Sequence, residues 1–160
     1  MDSLVNAMLK EIELTFSRPN SGETISSIYF GGGTPSLLSE QYIGAILNSI
    51  IERCSLDEDV EITLEANPDD ITTNALKCWH KLGINRLSLG VQSFSNEELK
   101  WMNRAHDAEQ SLASIDLILA SDISNFSADV IFGSPMMPDE TLVNGLEKLV
   151  SRKIQHLSCN

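Results

Sequence analysis

The chain has 160 residues, 17.6 kDa, and 11 basic against 23 acidic side chains, for a formal net charge of −12. That balance argues against binding a nucleic-acid backbone or an anionic membrane surface, and no apolar run is long enough to span a bilayer. Apolar residues make up 42% of the chain, enough for one ordinary domain core, and the three scattered cysteines, Cys54, Cys78 and Cys159, match neither a disulfide framework nor a metal-ligand spacing. With no basic-then-apolar leader at the N-terminus, reduced thiols in the cytoplasm are expected.

Residues 1–17 read as a helix, with Leu4, Met8, Ile12 and Phe16 four apart, broken by Pro19, Asn20 and Gly22. Residues 24–30 (TISSIYF) read as a strand rich in β-branched and aromatic side chains. After Gly31-Gly32-Gly33-Thr34-Pro35 comes a helix over about 40–53, with Ser39 as N-cap. Acidic residues 57–59 read as a solvated turn. Strand 60–66 (VEITLEA) and helix 73–82 follow, the latter closed by Gly83 in a left-handed cap. Strand 86–91 precedes a short helix opened by the capping-box pattern Ser95-x-x-Glu98, then a helix over about 108–120. Strand 126–132 leads through Gly133-Ser134-Pro135 to a helix over 139–152. Its acidic start, Asp139 and Glu140, and its basic end, Lys148, Arg152 and Lys153, suit the helix dipole. A last strand begins near 154.

Repeated βα units imply parallel strands joined by right-handed crossovers. Three strands alternate. Glu61, Thr63 and Glu65 oppose Ile62 and Leu64; Ser88, Gly90 and Gln92 oppose Leu87, Leu89 and Val91; Ser127 and Asp129 oppose Ala128 and Val130. A parallel sheet covered by helices on both faces is apolar on both. One apolar and one polar face predict an α/β partial barrel with helices outside and a ligand-accessible lumen. A doubly wound sheet with a few satisfied polar side chains is the alternative.

Ligand sites of βα barrels lie at the C-terminal strand ends. There the sequence places the Gly31–Thr34 turn, Glu65 and Gln92, with Asp129 inside a fourth strand. Exposed N–H groups of a glycine turn suit a carboxylate or phosphate, and Gln92 supplies both donors and an acceptor. Asp129 in an apolar strand is costly without a partner. Arg104 suits Asp129, Glu65 or a ligand carboxylate. Each has a plainer role as well: a tight turn, a solvated loop acid, a structural amide, a loop-tethering aspartate, an exposed helix-end arginine. His106 and His156 read as structural, with His156 sharing the parity of Ser158, and His80 reads as surface. This pattern suits a small ligand with a carboxylate, hydroxyls and an amine, without naming a reaction.

In order along the chain stand Tyr29-Phe30-Gly31-Gly32-Gly33-Thr34-Pro35-Ser36, Glu65-Ala66-Asn67-Pro68, Gly83 through Phe94 (GINRLSLGVQSF), Met102-Asn103-Arg104-Ala105-His106 and His156-Leu157-Ser158. Together they resemble the radical S-adenosylmethionine (SAM) enzymes of the oxygen-independent coproporphyrinogen III oxidase family, nearest the haem-chaperone branch. The resemblance implies a six-unit partial βα barrel with SAM at its open end. By matching motif, Gly32, Gly33, Thr34, Glu65, Gln92, Arg104 and Asp129 would contact SAM, the glycine turn meeting its methionine amine. In the family a [4Fe–4S] cluster cleaves SAM reductively, and Cys-x-x-x-Cys-x-x-Cys holds that cluster.

No such motif occurs here, so no metal ligands are assigned. The family's Gly-apolar-Pro-Gly after the fourth strand is replaced by Gly133-Ser134-Pro135-Met136-Met137. The expectation is that residues 1–160 are a fragment of one core domain, a helix at 1–17 and five strands over 24–160, lacking the family's first strand and cluster loop and inactive alone. Expected partners are SAM, a porphyrin or haem, and a haem-acceptor protein. The readings carried forward are a radical SAM core of porphyrin or haem metabolism, a haem-binding and haem-transferring chaperone, and a truncated chain without function of its own.

Overall fold

The computed structural model describes residues 1–16, 24–135 and 139–160. The breaker residues 19–22 and Met136-Met137 lie outside the described residues. Five strands, β1 (Thr24–Phe30), β2 (Ser55–Ala66), β3 (Arg86–Gln92), β4 (Phe126–Val130) and β5 (His156–Cys159), form one sheet in the order β1-β2-β3-β4-β5. Every neighbouring pair is parallel. The order decides between the two architectures. A doubly wound sheet reverses its strand order at a switch point, whereas sequential order with one helix-covered face is an arc of a βα barrel.

The helices are α1 (Asp2–Thr15), α2 (Glu40–Ile51), α3 (Thr73–Lys81), α4 (Asn96–Trp101), α5 (Ala108–Leu119) and α6 (Asp139–Ser151). The apolar strand face forms the core: Leu64, Leu87, Leu89 and Ala128 are fully buried together with Ile43, Ile115, Ile118 and Leu149 of the helices. On α1 the inward residue is Val5, with Met8, Leu9 and Ile12 beside it, while Leu4 is exposed. Met8 and Ile12 hold the expected face, while Val5 and Leu9 join it in place of Leu4, because i, i+3, i+4 and i+7 share a helix face.

Gly83 holds φ 93°, and the N–H groups of Gly83 and Ile84 donate to the carbonyls of His80 and Trp79. That is the left-handed cap expected at the end of α3. Three boundary readings change. The acidic run 57–59 lies inside β2, yet it is exposed, because pairing with β1 jumps from Ile25↔Leu56 to Ser27↔Glu61 and the segment bulges outward. The strand β4 ends at Val130, and β5 starts at His156. At α4 the capping box is one-sided. The Ser95 hydroxyl accepts from the Glu98 N–H, but the Glu98 carboxylate turns inward and accepts from Ser93 Oγ at 2.5 Å.

The polar strand face lines the inside of the arc. Low in the arc, Thr63 Oγ1 donates to Glu61 at 3.1 Å, and Arg86 pairs with Glu61 at 3.3 Å. Thr63, Ser88 and Ser127 are buried there. The lumen opens at the C-terminal strand ends, where the longer polar side chains stand.

Candidate functional site at the open end of the arc

Each wall of the opening is built by a strand that has just ended. Beyond β1 the chain turns through Gly32, Gly33 and Thr34 at φ 76°, 55° and 67°. A Cβ on Gly32 or Gly33 would meet nothing within 4 Å, so the left-handed backbone, not space, asks for glycine there. Gly31 and Gly90 answer to space instead. A Cβ at Gly31 would stand 2.6 Å from the Tyr29 ring and 3.0 Å from Glu65 Oε1, and one at Gly90 2.9 Å from Gln92 Nε2 and 3.2 Å from Asn67 Oδ1.

The Glu65 carboxylate clips the glycine turn to β2. Its Oε1 accepts from Tyr29 Oη at 2.8 Å and its Oε2 from the Gly32 N–H at 3.0 Å. Burial, together with the bond to Glu65, raises the Tyr29 phenol above its ordinary range. Across the arc, Ser127 Oγ donates to Ser88 Oγ at 3.3 Å, and Ser88 Oγ donates to Asp129 Oδ2 at 2.9 Å. Burial pushes the Asp129 carboxyl up, against the pull of the Ser88 and Ser158 hydroxyls. Its charged form is therefore disfavoured in the native state, and its contribution to stability falls as pH rises through the carboxylate range.

Thr34, Glu65, Ala66, Asn67, Ser88, Gly90, Gln92, Arg104 and Asp129 line one cavity of about 240 Å³. Five of the seven residues singled out in the sequence, Thr34, Glu65, Gln92, Arg104 and Asp129, meet there. Gly32 and Gly33 do not. They border a separate apolar groove of about 460 Å³ between α1, β1 and α2, which Thr34 shares. Arg104 pairs with neither Asp129 nor Glu65, and among the described residues its guanidinium has no ion-pair partner. It stands beside the cavity as a cation available to a ligand.

Tyr29, Asn67 and Ser88 were not among the candidates. Strand parity carried the signal for Tyr29 and Ser88, since they share a face with Ser27 and Gln92; Asn67 follows the end of β2 and shows its place only in three dimensions. His106 is buried, His80 is exposed, and His156 is exposed beside Ser127 in the strand register.

Residues 9–149 match the profile of the radical SAM superfamily. The chain belongs to the radical SAM superfamily. Its relatives include the heme chaperone HemW of Lactococcus lactis, 35% identical over 136 residues, covering 85% of this chain and 36% of that protein. HemW of Escherichia coli is 34% identical over 137 residues, covering 86% of this chain and 36% of that protein. Among solved structures, the coproporphyrinogen III oxidase HemN of Escherichia coli superposes with a TM-score of 0.88 at 28% identity, over 99% of this chain and 36% of that one. The chain thus spans about a third of the length of the curated relatives it matches. This radical SAM arc carries Cys54, Cys78 and Cys159 as free thiols, on β2's approach, α3 and β5. Among the described residues no group of three His, Cys, Asp or Glu side chains could hold a metal ion. The described residues therefore do not fit an iron–sulfur cluster. Among the described residues no helix is long and apolar enough to cross a membrane.

Proposed function

We propose that the cavity at the open end of the arc is a SAM site in a protein of porphyrin or haem metabolism. The observation that carries this is the meeting, in one cavity, of an unpaired guanidinium, two amides and two carboxylates. SAM has the complementary groups: an amino-acid carboxylate for Arg104, ribose hydroxyls for carboxylate and amide partners, and an amine and a sulfonium that favour nearby negative charge. The glycine turn, held by Glu65, brings Thr34 to the same cavity. These residues bind and orient the ligand. The reductive chemistry that superfamily members perform on SAM belongs to the cluster. The names of the relatives, heme chaperone and coproporphyrinogen III oxidase, support haem or a porphyrin as the second ligand, and a haem-acceptor protein as the partner on the chaperone reading. The three free thiols support a reducing, cytoplasmic setting.

Calorimetric titration of the chain with SAM tests the assignment. Arg104→Ala should weaken binding by about ten- to a hundredfold, the worth of one charged hydrogen bond at about 1.5–3 kcal/mol. Saturable binding that Arg104→Ala and Asp129→Asn leave unchanged would place the ligand elsewhere. A second reading, haem transfer without turnover, is favoured by the HemW relatives. Haem titration beside a coproporphyrinogen decarboxylation assay, on a protein of the relatives' full length, separates the two, and robust decarboxylation would sink the chaperone reading.

A further inference from the structure

The side chain of His106 is 1% exposed, and both ring nitrogens face oxygen. Nε2 stands 3.2 Å from the Val91 carbonyl, and Nδ1 stands 3.4 Å from Asp69 Oδ1. An apolar side chain would fill this space without the cost of burying two polar atoms, so what the imidazole adds is connection. Each of its partners adjoins the cavity. Val91 immediately precedes Gln92, whose backbone is held at φ 66°. Asp69 sits in the short turn Pro68–Asp70, where Asp70 Oδ2 accepts from Ser36 Oγ at 2.6 Å and from the Asn67 N–H at 3.3 Å. The imidazole thus stands where the glycine-turn segment, the end of β2, the end of β3 and the loop after α4 converge.

That loop carries Arg104. On its N-terminal side it is fixed by the cap of α4. Asn103 is left-handed at φ 56°, its N–H donates to Lys100 O at 3.0 Å, and the Arg104 N–H donates to Leu99 O at 2.8 Å. Two residues beyond Arg104, immediately before the Asp107 cap of α5, His106 is buried and tied. We propose that His106 is a positioning residue: bridging Val91 and Asp69, it pins the backbone on the far side of Arg104, so that the guanidinium is presented to the amino-acid end of the ligand. The inference rests on the reading of the cavity as a SAM site.

The test compares two ligands on the 160-residue chain and its variants: SAM, and 5′-methylthioadenosine, which lacks the amino-acid end that Arg104 would hold. His106→Ala should lower SAM affinity about tenfold, with 5′-methylthioadenosine unchanged within about twofold. His106→Gln, which keeps a donor for the Val91 carbonyl, should recover most of the loss. Unchanged SAM affinity in folded His106→Ala, or equal loss for both ligands, overturns the proposal. A chain that binds neither ligand overturns the SAM-site reading instead. Amide exchange in the unliganded protein then still decides on His106. Faster exchange at Asn103 and Arg104 in His106→Ala, at unchanged global stability, supports the pin, and unchanged exchange overturns it. Should His106→Ala fail to fold, Asp69→Asn carries the same comparison.

Discussion

Thr34 is β-branched and still holds φ 67° at the mouth of the cavity. Of the four non-glycine residues with left-handed backbone among the described residues, Thr34 and Gln92 line the cavity and Asn103 adjoins Arg104; the fourth, Lys153, follows α6. Asn103 is an ordinary asparagine helix cap, so the strain falls on Thr34 and Gln92, both of which line the proposed ligand cavity. The left-handed region costs an L-residue roughly 1–2 kcal/mol, and glycine gives back about 0.5–1 kcal/mol in chain entropy. Thr34→Gly should therefore stabilise the chain by on the order of 0.5–1 kcal/mol, read as a higher Tm, while weakening SAM binding. A lower Tm would show that the Thr34 side chain supports the fold. Residue parity along β2, β3 and β4 was legible in the sequence and found Glu65, Gln92 and Asp129. The clip from Tyr29 to Glu65 was not, because it spans 36 positions and depends on strand register.

Among the elements, every helix and strand read from the sequence exists, since each carries its own periodicity and punctuation. Caps were less legible. Ser39 stands at the N-cap of α2 without a side-chain bond, whereas Asp107 caps α5: Asp107 Oδ1 accepts from the Gln110 N–H at 2.8 Å, and Gln110 Oε1 accepts from the Asp107 N–H at 2.9 Å. Asp107→Ala should cost about 1 kcal/mol, and Ser39→Ala less than about 0.5 kcal/mol, compared by denaturant midpoints at constant slope. Equal losses would contradict the difference between the two caps. The Ser95-x-x-Glu98 pattern marked the start of α4, but only its Ser95 half forms, for a physical reason: a buried hydroxyl, Ser93 Oγ, offers the Glu98 carboxylate a shorter bond than an exposed cap does.

At the scale of the molecule, β1 pairs only with β2 and β5 only with β4 among the described residues, so the arc has two open edges. The edge strand β1 (TISSIYF) carries no lysine, proline or other charge to deter pairing with a second copy. The 160-residue chain alone should self-associate with rising concentration. Added salt should promote this by screening the repulsion of a net charge of −12. Ser26→Lys, an exposed position on that strand, should reduce it. Sedimentation showing a monomer at all concentrations and salt levels would refute this.

The sequence by itself determined the elements, their parallel direction, the two-faced strands and the family, because these rest on local periodicity and on contiguous motifs. Only the tertiary structure decided which motif side chains share a cavity. It put Gly32 and Gly33 on a neighbouring groove, left Arg104 without a protein partner, and set His106 between Val91 and Asp69. Those outcomes follow from strand register and from chain turns at left-handed residues, which bring together positions 15 to 95 residues apart.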